Sequence, residues 1–375
     1  MPQRDSVLPV RTFCQRPQVN LSRSTAERMC LVGICAGLGV LQSSLTDSLM
    51  SLRLALAAVF AAVAAEWICS FKSGTRTLWD GSAVASALVF SLLLPNTLSP
   101  FRAFMGALFA MIVVKHSFGG LGSNWMNPAL GGWLFVRFSW PDAFERALEG
   151  SPLALLYGSL DGGLRELPVS PPEILRSSIA PLEILKTDSV PSAAFPGVSG
   201  LSAFLNDTIF SFTNSELPGG YIDLLLFREP GIIADRGLLA LLLGTILIIA
   251  FRVSRIWVPL AFLVCYSLAV RLFGGLPLGE SLGQGDILFA LFSGGIIPAA
   301  FLLAADPATG PKSGIGAGVL ACLAGIFAFI FRYPGGEPYG AFFAVLLFNA
   351  LTPAVRELER RKLYRYRPSE TGGNP

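Results

Sequence analysis

The chain has 375 residues, 53% of them hydrophobic and only 14% charged, with a net charge of +3 and a mean hydropathy of +0.60. That much apolar material cannot be hidden inside a soluble globule by so few charges, so the composition places the chain in lipid. The small positive excess sits at the two ends, where it bears on membrane orientation and excludes a nucleic-acid partner.

Residues 1–28 are polar and carry Arg4, Arg11, Arg16, Arg23 and Arg28. No small-residue cleavage site follows the first apolar run, so the first helix is expected to stay in the mature protein. Apolar windows near the roughly 17 to 20 residues that cross about 30 Å of hydrocarbon then recur. Met29 to Leu45, Leu52 to Cys69, Ala83 to Pro95, Phe104 to Val114 and Trp125 to Val136 form a first membrane half over 29–137, the last two short and glycine-rich. Residues 138–236 interrupt the pattern with serines, charges and Pro168, Pro171, Pro172, Pro181, Pro191 and Pro196. Such an insertion must sit outside the membrane. It is either a solvated linker or the place for a cofactor or partner surface. A second half over 237–355 follows, with Gly237 to Phe251, Ile256 to Val270, Ile287 to Ala304, Gly314 to Phe331 and Tyr339 to Val355. A basic tail, 356–375, holds Arg356, Arg360, Arg361, Lys362, Arg365 and Arg367.

The expected fold class is all-α: a polytopic membrane protein with about ten transmembrane helices. The arginines flanking the first and last spans predict that both termini are cytoplasmic, in a bacterial inner membrane. Lys72, Arg76, Arg252, Arg255 and Lys312 then fall in cytoplasmic turns, and the insertion falls outside. The halves also echo each other. Gly106-Ala-Leu-Phe-Ala leads to Lys115 and Gly119-Gly120, then Asn127-Pro128, while Gly318-Val-Leu-Ala-Cys leads to Arg332 and Gly335-Gly336, then Asn349 and Pro353. Two units with odd numbers of spans insert in opposite senses, which predicts a 5+5 inverted repeat with interrupted helices and a site at the interface. The alternative is that glycine and proline are simply common in membrane helices.

Cys14, Cys30, Cys35, Cys69, Cys265 and Cys322 lie mostly in apolar segments without metal-ligand spacing, so they are read as packing residues. A single histidine, His116, cannot build a multi-histidine metal or haem site. No nucleophile, general base or metal is expected.

Several motifs put polar groups or helix breakers where lipid disfavours them. Asp80-Gly81-Ser82-Ala83 opens the third span, where Asp80 can cap the helix or leave its amides facing an anion or polar ring. Phe118 to Ala129 is too rich in glycine and polar residues for an ordinary span and predicts an interrupted helix. Within it, Asn124 and Asn127 can bond either the edge of a flavin ring or the broken backbone. Ser293-Gly294-Gly295 precedes Ala304-Ala-Asp306-Pro-Ala-Thr309-Gly-Pro311. There Asp306 is either an ion-pathway carboxylate or a turn former.

The ordered set Asp-Gly-Ser-Ala, Phe-Gly-Gly-Leu-Gly-x-Asn-x-x-Asn-Pro-Ala, Ser-Gly-Gly with Ala-x-Asp-Pro-x-Thr, and Arg-x-x-Gly-Gly-x-Pro-x-Gly with Leu-x-Asn-Ala-Leu-x-Pro resembles a known family. It comprises the D subunits of Rnf-type electron transport complexes and the B subunits of the sodium-pumping quinone reductase. The resemblance covers the chain from about Arg23 to Arg356. It implies an FMN ester-linked to a threonine or serine in an extracytoplasmic Asp-x-x-Ser-Gly-Ala-Thr loop. The matching segment is Pro196-Gly-Val-Ser199-Gly200-Leu201-Ser202, which points to Ser202 as the attachment residue with Ser199 and Gly200 beside it. Pro196, Leu201 and Ser202 depart from the family pattern, so an ordinary loop serine is the alternative. A family Gly-x-Ile-Gly-Glu-x-Ser run is replaced by Gly231-Ile-Ile-Ala-Asp235-Arg-Gly237.

The resemblance further implies a second, noncovalent flavin such as riboflavin, and electron flow linked to movement of Na+ or H+. As partners it implies the other Rnf complex subunits, above all the FMN-bearing G subunit, together with membrane lipid. The competing readings are a small-solute channel or permease of similar architecture and a structural subunit that has lost its flavin.

Overall fold

The computed structural model describes residues 24–45, 49–73, 80–117, 119–120, 124, 126–148, 231–276, 282–283, 285–311 and 313–365. Those residues are helical, with a single isolated antiparallel bridge between Pro95 and Ile232 and no strand among them. Ser199, Gly200 and Ser202 lie outside the described residues.

The first group of helices comprises α1 (Thr25–Ser44), α2 (Met50–Ser73), α3 (Ser82–Leu92), α4 (Pro100–Phe109), α5 (Pro128–Ser139) and the short α6 (Pro141–Leu148). The second comprises α7 (Ile233–Arg236), α8 (Leu238–Ala250), α9 (Trp257–Phe273), α10 (Ile287–Phe292), α11 (Ile296–Pro298), α12 (Gly314–Arg332) and α13 (Gly340–Arg365). Two of these continue as π-helix: α4 over Ala110–His116 and α11 over Ala299–Ala304. By length and composition, Met50–Phe71, Gly314–Arg332 and Gly340–Arg361 can each cross a membrane. Shorter apolar helices are Ser82–Leu92, Leu238–Ala250 and Trp257–Phe273.

Local chemistry explains many of the helix ends. Ser24 and Glu27 form a capping box at α1, each side chain accepting from the other's backbone N–H at 3.2 Å. Asn127 caps α5, and Pro128 stands at its first position, where a missing N–H costs nothing. Asp286 caps α10 and Ser313 caps α12. The predicted eighth span, Ile287 to Ala304, is not one helix. It breaks at Ser293 and restarts after Gly294 and Gly295, whose φ values of +70° and +69° are left-handed and suit glycine.

The two groups meet along α1 and α8, where small residues let the backbones touch. A Cβ on Gly237 would overlap the Gly39 carbonyl, and one on Gly244 would overlap Cys35 Sγ. Gln42 accepts from the Ala240 backbone N–H in the same seam. A second junction is aromatic: Trp133 of α5 packs edge-on against Phe144 of α6 and Phe342 and Phe343 of α13, with ring centroids 6.3, 5.0 and 5.1 Å away. The Ile233 N–H donates to the Leu94 carbonyl at 2.9 Å, which docks the start of the second group onto the far end of α3.

The outer faces stay apolar. On α2, Leu56, Phe60, Trp67, Ile68 and Phe71 are exposed, and on α12 Ile315, Val319, Ile326 and Ile330 are exposed. Water would disfavour such rows of side chains, whereas hydrocarbon accommodates them.

Candidate functional site

One end of the bundle holds a chain of hydrogen-bonded ionisable side chains. Lys115 Nζ, on the π-helical end of α4, donates to Glu66 Oε2 of α2 at 2.8 Å and to Ser82 Oγ at the start of α3 at 2.8 Å. His116 Nε2 lies 2.8 Å from the same Glu66 oxygen. Ser82 in turn donates to Asp80 Oδ1 through its N–H at 2.9 Å and its hydroxyl at 2.6 Å. Glu66 and Lys115 are buried, with side-chain exposures of 0% and 1%, so each charge is compensated chiefly by the other. Asp80 therefore does engage the first turn of α3, and Gly81, with φ +70°, supplies the bend that lets it reach back.

Beside this chain lies a cavity of about 320 Å³ between the two helix groups. Its walls come from α1, α3 and α5 on one side and from α8 and the π-helical segment Ala299–Ala304 on the other. Val32, Val89, Ile248, Phe301 and Leu302 make an apolar slot, and Lys115, Asn124, Asn127 and Asp306 border it. Lys115, Phe301 and Leu302 belong to the two π-helical segments, a distortion that recurs at functional sites because it frees backbone groups and displaces side chains.

Both predicted asparagines are therefore at the cavity, and both are also engaged by protein. Asn127 Oδ1 accepts from the Ala129 N–H at 3.0 Å, and its Nδ2 donates to Asp306 Oδ2 at 3.0 Å. The Asn124 amide nitrogen, in the orientation that satisfies both acceptors, donates to the carbonyls of Lys115 at 3.2 Å and Gly120 at 2.9 Å. Asp306 closes a turn through the Ala308 N–H at 3.0 Å while holding Asn127. The turn role and the inter-group bond thus coexist in one carboxylate. Each asparagine oxygen retains lone-pair capacity toward an N–H of a ligand in the cavity, the donor–acceptor chemistry that a ring with a polar edge calls for.

The opposite end carries a second buried cation. Arg332, at the end of α12, donates through Nη1 to Tyr266 Oη at 2.8 Å and to the carbonyls of Ala290 and Ser293 at 2.7 and 2.9 Å, and through Nη2 to Ser293 Oγ at 2.6 Å. The Gly295 N–H donates to Asp235 Oδ1 at 2.9 Å, and Asp235 Oδ2 has no hydrogen-bond partner among the described residues. Motif patterns do not reveal Glu66, Tyr266 or the bonding roles of Lys115 and Arg332. The available signal was a charge inside or at the end of an apolar span, which lipid tolerates only when it faces inward and is paired.

Comparisons with known proteins agree over almost the whole chain. The D subunit of the ion-translocating oxidoreductase complex of Alcanivorax borkumensis is 32% identical over 299 residues, covering 79% of each chain. The D subunit of the proton-translocating ferredoxin:NAD(+) oxidoreductase complex of Clostridium ljungdahlii is 26% identical over 92% of this chain and 93% of its own. The Na(+)-translocating counterpart from Acetobacterium woodii is 26% identical over 94% and 95%. Residues 12–365 match the family model described as NQR2, RnfD, RnfE, and the chain belongs to that family.

Proposed function

We propose that this chain is the D subunit of an Rnf-type, ion-translocating electron transport complex, and that it passes electrons through flavin within the membrane. The observation that carries the flavin reading is the cavity between the helix groups, with an apolar slot edged by Asn124, Asn127, Lys115 and Asp306. Relatives named as proton- and Na(+)-translocating ferredoxin:NAD(+) oxidoreductase subunits support the reaction class.

The architecture in this reading is ten spans in a 5+5 inverted repeat. Its support is pairwise. Lys115 ends the fourth span and bonds Ser82 beside the left-handed Gly81, while Arg332 ends the ninth and bonds Ser293 beside the left-handed Gly294 and Gly295. Glu66 on the second span meets Lys115, and Tyr266 on the seventh meets Arg332. The equivalent first and sixth spans, α1 and α8, touch each other at Gly39 and Gly237. The termini and the Lys115 end then face the cytoplasm of a bacterial inner membrane, and residues 138–236 face outward with an FMN esterified to Ser202 and flanked by Ser199 and Gly200. The FMN-bearing G subunit and the other Rnf subunits are the partners, with lipid on the apolar outer faces.

A bound flavin supplies the electron chemistry. The chain's residues would hold and shield it: Phe301, Leu302 and Ile248 would exclude water from the slot, and the Asn124 and Asn127 side-chain oxygens would be the acceptors for its polar edge. Lys115 is locked by Glu66 and Ser82, so its charge at the cavity wall would be fixed in place toward a bound flavin rather than free to reorient.

The test is in-gel flavin fluorescence and intact mass of the denatured protein, produced with its flavin transferase, for the parent and Ser202→Ala. Loss of the bound flavin in the variant is expected. Persistence would move the attachment elsewhere. Absence of flavin from both denatured forms, and also from the supernatant released when the natively purified proteins are denatured, would overturn the redox reading in favour of a flavin-less structural subunit or a permease.

A further inference from the structure

The helix break at the Arg332 end of the bundle is held by charge on both of its sides. Arg332 donates to the carbonyls of Ala290 and Ser293, at the end of α10, and the Asp235 carboxylate accepts from the N–H of Gly295, where α11 begins. The helix that starts there continues as the π-helical segment Ala299–Ala304 and brings Phe301 and Leu302 to the cavity wall. Asp235 thus secures the near end of a segment whose far end lines the cavity.

That bond uses one oxygen of Asp235. The residue is only 4% exposed, and its Oδ2 is buried without a hydrogen-bond partner among the described residues. A Cβ built on Gly231 would stand 3.4 Å from this Oδ2 and 3.9 Å from Tyr339 Oη, with nothing nearer outside Gly231 and its chain neighbours. The two oxygens therefore face one small gap, about the size of a methyl group or a single water. Arg332 acts on Asp235 through its charge, and Tyr339 is the other titratable side chain facing Oδ2. Arg236 follows on α7 itself, while α3, α8 and the stretch of α1 from Ala36 to Ser44, around the Gly39 contact, carry no ionisable side chain.

An ionised carboxylate with an idle oxygen is costly to bury, and a proton on that oxygen removes the cost. The gap offers two side-chain oxygens, fewer than the six or so that a hard cation gathers, whereas a proton needs one. Breaks in membrane helices are also where translocated ions are held.

We propose that Asp235 Oδ2 is a proton-binding site on the route of the translocated ion, and that a proton bound there loosens the hold on Gly295. The proposal rests on the ion-translocating reading and adds the ion and the group that carries it. The proton comes from water and returns to it, and only an O–H bond forms and breaks. A neutral acid accepts from an N–H more weakly than a carboxylate does, so the start of α11 is released when the proton binds and secured when it leaves.

Two measurements test this. Infrared difference spectra of the full chain in lipid, recorded on acidification, should show a carboxylic-acid C=O band that Asp235→Asn removes and Asp235→Glu shifts. Asparagine keeps an oxygen for the Gly295 N–H, so the fold is expected to survive the change. In vesicles holding the whole complex, protons moved per electron transferred, read with a pH-sensitive dye in Na+-free buffer, should be lost in Asp235→Asn and partly kept in Asp235→Glu.

An acid-induced spectrum that Asp235→Asn leaves unchanged, or proton movement that survives in that variant, would overturn the proposal. Parent vesicles that move Na+ but not protons would overturn the proton assignment and leave ion translocation standing. Movement of neither ion during electron transfer would overturn the translocating reading and the proposal together.

Discussion

Asn127 and Asp306 are separated by 179 positions, yet the amide of one donates to the carboxylate of the other at 3.0 Å, directly beside the cavity. The same asparagine caps α5 through the Ala129 N–H, so one side chain sets a helix start and joins the two helix groups. Replacing it with alanine removes a cap and a charge-assisted bond and should cost about 2–3 kcal/mol. Thermal unfolding of Asn127→Ala in detergent is expected to show a lowered midpoint. Asp306→Asn, which keeps an acceptor for the Ala308 N–H, should cost less. Equal midpoints for parent and Asn127→Ala would mean that the bond contributes nothing.

Lys115 and Glu66 are a buried pair, so losing one partner should hurt more than losing both charges. Lys115→Met strips the buried Glu66 carboxylate of its ammonium partner and should destabilise by about 3–5 kcal/mol. The double variant Lys115→Met with Glu66→Leu should recover a large part of that loss. A double-mutant cycle on chemical unfolding checks it: additive effects would show that the two side chains are not coupled.

The α1/α8 seam has no room for a side chain at its tightest point. Gly237→Ala drives a methyl group into the Gly39 carbonyl and should either abolish accumulation of folded protein or cost about 1–3 kcal/mol or more. Gly314→Ala is the matched control, since a Cβ there meets nothing within 4 Å. Yields measured by fluorescence size exclusion should separate the two.

Arg332→Lys is not a conservative change here. The guanidinium reaches Tyr266, Ala290 and both the carbonyl and hydroxyl of Ser293, whereas an ammonium cannot span that fork. The break between α10 and α11 should loosen, with faster amide hydrogen exchange at Gly294 and Gly295 than in the parent. Unchanged exchange would show that the glycine turn holds itself.

Long spans and helix breakers are legible in the residues themselves. The runs from Leu52 to Cys69 and Gly314 to Phe331 are apolar over a membrane's thickness, and the structure has helices there because hydrocarbon leaves the backbone no other partner than itself. Asn127-Pro128 begins a helix, and Gly294-Gly295 interrupts one. The exact course of the short segments is not legible in this way. Trp125 to Val136 shifts by three residues to Pro128–Ser139, and Phe104 to Val114 is the middle of a helix that slips into π geometry before Lys115. Apolar periodicity cannot register a π turn, since one extra residue per turn leaves composition unchanged.

Membership of the family, residence in lipid and the list of polar groups in apolar surroundings were determined by sequence, because composition and ordered motifs are local properties that need no partner to be read. Which polar groups meet was decided only by tertiary structure. Glu66, Ser82 and Lys115 stand on three helices, and Asn127 and Asp306 on opposite helix groups. Lipid demands that a buried charge be compensated but does not say by which residue. That choice depends on the close approach that Gly39 and Gly237 permit and on the packing of α2, α3 and α4.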